Sequence, residues 1–359
     1  MRELDLKGET AQHYDNKEFS KVLVIITGGT LCMVDSPNGY HPASGLAGRL
    51  KAYRTFYDKQ ISEEHNCDEN TLITPMSPFK SRIQFTVHEF DNLIDSSCVS
   101  LQDQLDMASV IEDNYKNFDG FVIVHGTDTM AYTASTLSFM LENLNKTVVV
   151  TGSQIPISQL RSDAVDNLLG SLMVAGPFQI PEVVIYFDNK ILRGNRATKA
   201  SSSKMTAFET PNMPPLAIFD VNLEVEWHRV MKHSKGQFKV FREMNTNIAQ
   251  ITMSPLFTNW SALDHLFKSS NAVILSGYGM GNLPINNQTL MDTIRDAIES
   301  GILVVVSTQC YHGTVSDVYA TGRFLTEMGC LLAQDMTMEC LFAKLSYLIG
   351  KVSDQILTL

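Results

Sequence analysis

Three segments of this chain carry side chains that could do nucleophilic chemistry together: Thr27-Gly28-Gly29-Thr30, His125-Gly126-Thr127-Asp128-Thr129 and Arg196-Ala197-Thr198-Lys199. A threonine hydroxyl attacks poorly until a base takes its proton, because its alkoxide is nearly absent at neutral pH. Lys199 serves as a base only where burial or neighbouring cations lower its pKa. A carboxylate such as Asp128 pulls the other way. Asp128 therefore reads as an orienting group or a partner for a substrate ammonium, with Thr127 relaying between Lys199 and a nucleophilic water or hydroxyl.

The elements that must position these residues are strands ending in glycine-rich turns. Val22-Leu23-Val24-Ile25-Ile26 breaks into Thr27-Gly28-Gly29-Thr30, and Phe121-Val122-Ile123-Val124 breaks into His125-Gly126-Thr127. Continuous Val/Ile runs of this kind read as strands buried on both faces of a parallel sheet. Ligands of such sheets bind at the carboxyl ends of the strands, where these turns lie. A third run, Ile83 to Val87, leads towards Asp95-Ser96-Ser97 on the same expected rim.

From Leu101 the pattern alternates: helix to Tyr115, strand from Phe121, helix Ala131 to Leu144, strand Thr147 to Val150, helix Ala164 to Val174, strand Val183 to Phe187. This alternation specifies a doubly wound, mainly parallel α/β sheet. Asp188-Asn189-Lys190 reads as a hairpin turn, and Asp35 to Phe79, rich in Gly and Pro, as a long mobile loop with little regular structure. Pro211, Pro214 and Pro215 and the dense charge from Glu224 to Arg242 mark a boundary. The expected organisation is a larger catalytic α/β domain at 1–225, which includes a short N-terminal extension, a linker at 226–246, and a smaller C-terminal α/β domain at 247–359. In the latter, strands are expected at Ile248 to Met253, Ala272 to Leu275 and Ile302 to Val306. Its helices are expected at Trp260 to Phe267, Gln288 to Glu299 and Met336 to Leu348, the last stopped by Gly350 as a C-cap.

With 359 residues, 44% of them hydrophobic, the chain can bury the cores of two domains. A formal net charge of -11 argues against nucleic acid and anionic membranes as partners, since both reward basic surface. Met1 to Lys21 lacks the apolar core of a secretory signal, and no apolar run reaches membrane-spanning length. The 6 cysteines form no close Cys-x-x-Cys pair and the 9 histidines no metal-ligand spacing. The expectation is reduced thiols in a cytoplasmic protein, with no metal and no cofactor.

Each residue alone has a plainer reading. Thr-Gly-Gly-Thr is a tight turn, Asp128 an N-cap for the following helix, Lys199 a solvated lysine and His125 a satisfied core histidine. Nucleotide binding finds little support: there is no P-loop, no Gly-x-Gly-x-x-Gly after the first strand, and Asn282 interrupts Gly277-Tyr278-Gly279-Met280-Gly281-Asn282. No Gly-x-Ser-x-Gly elbow occurs either. What points to chemistry is the set of hydroxyl-rich turns on one rim.

Taken together, Thr27-Gly28-Gly29-Thr30, His125-Gly126-Thr127-Asp128-Thr129-Met130, Thr151-Gly152-Ser153-Gln154-Ile155-Pro156, Arg193-Gly194-Asn195-Arg196 with Lys199, and Ala333-Gln334-Asp335-Met336-Thr337 resemble the bacterial-type L-asparaginase family, in its cytosolic type I branch. The resemblance covers nearly the whole chain. It implies hydrolysis of the asparagine side-chain amide without cofactor or metal, and weaker action on glutamine is open. By resemblance, Thr30 is the nucleophile forming an acyl-enzyme ester, Tyr40 orients it from a mobile loop, and Thr127, Asp128 and Lys199 form a second triad. Asp95 and Ser96, with Thr127 and Asp128, fall on substrate-binding positions. Thr198 and Cys310 correspond to an activating asparagine site of some members, and a homodimer or dimer of dimers is implied. One departure is Cys98, where the family commonly carries an acidic residue. Two competing readings are a tRNA-dependent amidotransferase subunit, which would need basic surface and an extra N-terminal domain, and a non-catalytic asparagine sensor.

Overall fold

A computed structural model describes residues 17–37, 39–221 and 223–357. Most of Met1 to Lys21 thus lies outside the described residues. The chain divides into one unit of Met1–Thr210 with Pro214–Phe241 and a second of Pro211–Met213 with Arg242–Leu359.

The first unit is built on strands β1 (Phe19–Gly28), β2 (Thr71–Ile73), β3 (Arg82–Ile94), β4 (Gly120–Val124), β5 (Val148–Thr151), β6 (Val183–Phe187), β7 (Lys190–Arg193), β8 (Ala217–Phe219) and β9 (Leu223–Val225). They form one 9-stranded sheet in the order β9-β8-β7-β6-β5-β4-β1-β3-β2. The five central strands β6-β5-β4-β1-β3 run parallel. Val22, Val24, Ile25, Ile26, Phe121, Val122, Ile123, Val124, Val148, Val149 and Val150 are all fully buried, as a parallel sheet covered on both faces requires. Helices Leu101–Asn114, Met130–Met140 and Ala164–Ala175 make the crossovers. From β1 the chain moves to β3 on one side, and from β4 it moves to β5 and β6 on the other. The crevice between the carboxyl ends of β1 and β4 is therefore the topological switch point, where this architecture binds ligands.

The antiparallel edge strands were not legible as such, but the hairpin before β7 was. Asp188 and Asn189 both adopt left-handed backbone, with φ of 47° and 61°, as a two-residue turn matched to strand twist demands. An ion pair with a buried carboxylate fastens this edge: Arg193 Nε meets Glu182 Oε2 at 2.6 Å, its Nη2 donates to Glu182 Oε1 at 3.0 Å and to the Arg229 carbonyl at 2.6 Å, and Met231 N donates to Glu182 Oε1 at 2.6 Å. Glu182→Ala leaves the half-buried Arg193 guanidinium without its carboxylate and the Met231 amide unanswered. An expected loss of about 3–5 kcal/mol follows, read from urea unfolding.

The expectation of a long irregular segment at Asp35–Phe79 is corrected. It contains helices Leu46–Leu50 and Lys59–Glu64 and the strand β2. Leu46, Ala47, Leu50 and Phe56 are buried, and Asp58 caps the second helix by accepting from Ile61 N at 3.4 Å. These elements are only 5 and 6 residues long, too short for periodicity to rise above the surrounding Gly and Pro.

The second unit holds parallel strands Ile248–Thr252, Ala272–Gly277, Leu303–Thr308 and Leu331–Leu332 in that order. Its helices are Ser261–Lys268, Gln288–Glu299, Ala320–Met328 and Met338–Leu357. The reading of Gly350 as a C-cap is corrected, because the last helix runs straight through it. A Cβ on Gly350 would stand 1.6 Å from the Glu243 carbonyl oxygen, so the glycine serves close approach of the helix to another segment of this unit.

Candidate active site

Three turns converge at the switch point, and glycines make the convergence sterically feasible. Gly28 pairs with Ile94, and a Cβ on it would lie 2.1 Å from the Ile94 carbonyl oxygen. Gly29 has φ 82° and ψ 175°, and a Cβ there would lie 2.4 Å from Gly126 N. Backbone thus packs on backbone between the turn after β1, the turn after β3 and the turn after β4. Thr27 Oγ1 ties the first to the third by donating to the Val124 carbonyl at 3.0 Å.

Thr30 opens a single helical turn, Thr30–Cys32. Cys32 holds it from within: its backbone N and its Sγ both donate to the Gly29 carbonyl, at 3.3 Å and 3.1 Å. Burial pushes the Cys32 thiol up to about 11, so it acts as a neutral donor rather than a reactive thiolate.

The turn after β3 presents Asp95 and Ser96. Asp95 accepts from Ser97 N at 2.9 Å and Ser97 Oγ at 2.8 Å, and these bonds, the backbone one first, hold its carboxyl below the usual range. It stays an exposed anion at the rim. Ser96 is buried; its Oγ accepts from Asp128 N at 3.2 Å and its carbonyl accepts from Thr129 Oγ1 at 2.6 Å. Because Ser96 Oγ is an acceptor in this contact, its own proton is left to donate.

The turn after β4 carries the remaining groups. Lys199, on a two-residue strand Thr198–Lys199 paired with Phe208–Glu209, reaches over with Nζ 2.9 Å from Thr127 Oγ1 and 2.6 Å from Asp128 Oδ1. Thr127 is buried while the Asp128 side chain is 62% exposed. Asp128 is not a helix cap; the residue at that position of helix Met130–Met140 is Thr129. Two carboxylates, Asp95 and Asp128, against one lysine leave the rim with anionic character suited to a cationic ammonium.

His125 underlies this turn. It is fully buried, with Nδ1 2.7 Å from the Gly126 carbonyl and Nε2 3.0 Å from Thr133 Oγ1. Since a carbonyl only accepts, Nδ1 bears the proton and Nε2 accepts from Thr133. Burial holds its pKa below the ordinary 6.5. The unfolded chain then binds more protons than the folded one as pH falls below that value, so folding stability is lost on the acid side. Urea midpoints should be flat above about pH 7 and decline below about 6.5, and His125→Gln should flatten that decline.

Of the residues singled out from the sequence, the structure brings Thr127, Asp128, Lys199 and Ser96 into direct contact and sets Asp95 and Thr30 on the adjoining turns. Tyr40 lies between the paired segments Met33–Val34 and His41–Pro42, 51% exposed as a residue and, among the described residues, without a hydrogen bond to Thr30. Thr198 stands beside Lys199 in the first unit. Cys310 belongs to the second, exposed, with its backbone N donating to Thr308 Oγ1 at 2.9 Å. Gln154 was missed: its contact with Thr127 spans separate turns and leaves no local signal. Among the described residues no cluster of three or more His, Cys, Asp or Glu could hold a metal ion, and no helix is long and apolar enough to cross a membrane.

A doubly wound sheet with hydroxyl, lysine and carboxylate side chains gathered at its switch point, followed by a smaller parallel α/β unit, defines a two-unit α/β protein with a candidate site on its larger unit. Residues 21–231 match the family described as Asparaginase, N-terminal, and residues 247–356 match the Glutaminase/Asparaginase C-terminal domain. The chain belongs to the asparaginase family. It is 40% identical over 334 residues to L-asparaginase 1 of Escherichia coli K12, covering 93% of each chain. It is 38% identical over 332 residues to a mouse protein named 60 kDa lysophospholipase, covering 92% of this chain and 59% of that relative. Among solved structures, L-asparaginase I from Vibrio cholerae superposes with a TM-score of 0.78 at 38% identity, covering 92% of this chain and 93% of that one. The chain therefore spans 93% of the length of one such relative and about three-fifths of another.

Proposed function

We propose that the protein hydrolyses the side-chain amide of L-asparagine, giving aspartate and ammonia. The observation that carries this reading is the contact of Lys199 with Thr127 and Asp128, laid directly against the Asp95-Ser96 turn. Asp128 and Asp95 would hold the substrate ammonium, and the Ser96 hydroxyl would donate to its carboxylate. A zwitterion gripped at both charges presents its amide in a fixed direction, the main requirement for a near-attack geometry. Thr30 is assigned the attack: its oxygen adds to the amide carbon, the nitrogen leaves as ammonia with a proton, and water then cleaves the threonine ester. Thr127 and Lys199 move the protons, and backbone N–H groups of the glycine turns would face the oxyanion. Tyr40 would close on Thr30 when substrate is bound.

The same reading extends to cytoplasmic location, weaker glutamine hydrolysis, a homodimer or dimer of dimers, and asparagine activation through Thr198 and Cys310. It also takes 1–225 and 247–359 as the folding domains, joined through 226–246. Ammonia release from asparagine by the purified chain tests the central claim. Turnover that is absent with Thr30 intact overturns it. Because one relative carries the name lysophospholipase, fatty-acid release from lysophosphatidylcholine is measured in parallel, and activity there alone would replace the proposal. Thr30→Val that abolishes turnover yet binds asparagine normally supports the covalent role.

A further inference from the structure

Gln154 is a second side-chain partner of Thr127, beside Lys199. Thr127 Oγ1 is 3.3 Å from Gln154 Oε1, and Gln154 Nε2 donates to the Lys204 carbonyl at 3.0 Å. The Lys204 carbonyl can only accept, so the amide orientation is determined: NH2 towards Lys204, oxygen towards Thr127. An amide oxygen is also only an acceptor, so the Thr127 proton must be the one in the 3.3 Å contact. The glutamine backbone is anchored too. Gln154 N lies 3.1 Å and 3.0 Å from the two Asp163 carboxylate oxygens, and Ile155 N donates to Asp163 Oδ1 at 3.0 Å. Asp163 is itself held by Asn167 Nδ2 at 3.1 Å.

A hydroxyl oxygen has one proton and two lone pairs. With the proton drawn to Gln154 and one lone pair receiving Lys199 Nζ, a single lone pair of Thr127 remains. We infer that Gln154 is a positioning residue that keeps the Thr127 proton out of the substrate site, so that Thr127 meets the nucleophile as an acceptor. Without Gln154, the hydroxyl that receives the Lys199 ammonium loses this acceptor and its proton turns into the site. There it would donate to the nucleophile's oxygen and oppose attack. When Lys199 is neutral, the same proton can swing to Nζ, and the nucleophile's proton moves onto Thr127; Gln154 makes the hydroxyl two-state without joining the transfer.

This rests on the proposed amidohydrolase reading, and the experiment separates the two. Asparagine turnover by the unaltered chain tests the reading alone. Gln154→Met, close in volume and lacking the acceptor, should lower kcat about 10- to 100-fold, as loss of one well-placed hydrogen bond allows, while KM changes less than about threefold since the groups that grip the zwitterion are intact. Gln154→Glu keeps an acceptor but adds a carboxylate near Lys199. It should restore part of kcat and move the acid limb of the kcat–pH profile to higher pH, because a nearby negative charge favours the protonated amine. An active unaltered chain whose Gln154→Met variant keeps wild-type kcat overturns the inference. So does an equal loss in both variants with an unmoved pH profile, which would mark Gln154 as merely structural. Unfolding midpoints within a few degrees of wild type confirm that each variant is read in its folded state.

Discussion

Lys199→Met is expected to lower kcat for asparagine by about 10²- to 10⁴-fold, the range a positioned proton-transfer group supplies. The reason is geometric. Nζ stands 2.9 Å from Thr127 Oγ1, and methionine offers no atom that can hold or pass a proton there. The fold should tolerate the change. The Lys199 side chain is 19% exposed and its partner Asp128 62% exposed, so the abandoned carboxylate is solvated, and such a pair contributes no more than about 1 kcal/mol. Substrate affinity should not fall with turnover. Freed of the ammonium 2.6 Å away, Asp128 faces the substrate's own ammonium without competition, so KM stays level or decreases. Steady-state rates with a thermal unfolding curve separate these effects. A kcat within threefold of wild type would remove Lys199 from the chemistry.

Much of this site was legible because its parts are local. Val22 to Ile26 and Phe121 to Val124 announced buried parallel strands, and the glycines that ended them announced where the backbone must turn. Asp95-Ser96 could be assigned to the same rim because β3 is parallel to β1. What stayed hidden depends on contacts between segments far apart in sequence. Lys199 is 71 positions from Asp128, so no local pattern joins them; it was the family resemblance that put the two in one triad, while the contact of Gln154 with Thr127 went unread. Gly350 resembled a stop signal, yet its neighbour in space is Glu243. A glycine at a helix end and a glycine where a helix meets another stretch of backbone are the same letter; only the packing distinguishes them. The short helices at Leu46–Leu50 and Lys59–Glu64 were hidden for another reason: the first is stabilised by burial of Leu46, Ala47 and Leu50 and the second is capped by Asp58, and neither is long enough to hold by propensity.

The same distinction predicts the effect of the smallest change in the site. Gly126→Ala should cut kcat/KM for asparagine by about 10²-fold or more, with a stability loss of only about 1–3 kcal/mol. The backbone at Gly126 does not lie in the left-handed region, so alanine adds no torsional strain there. The added methyl would instead fall 2.5 Å from Ser96 Oγ, 2.6 Å from Ser96 Cβ and 3.3 Å from Gly29 Cα. Carbon atoms rest at about 3.5–4.0 Å, and a Cβ moves only with its backbone, so rotating the Ser96 hydroxyl away cannot relieve the clash. The turn after β3 must retreat by about 1 Å from the turn after β4, carrying Asp95 and Ser96 away from Asp128. Misplacement on that scale is what costs two orders of magnitude when the reacting groups themselves are intact. Adding Ser96→Gly to Gly126→Ala removes both of the closest atoms, so the double variant should recover stability and part of kcat while keeping a raised KM, since the donor to the substrate carboxylate is gone. A single variant that retains wild-type kcat/KM would mean that the three turns need not meet at this distance for the site to work.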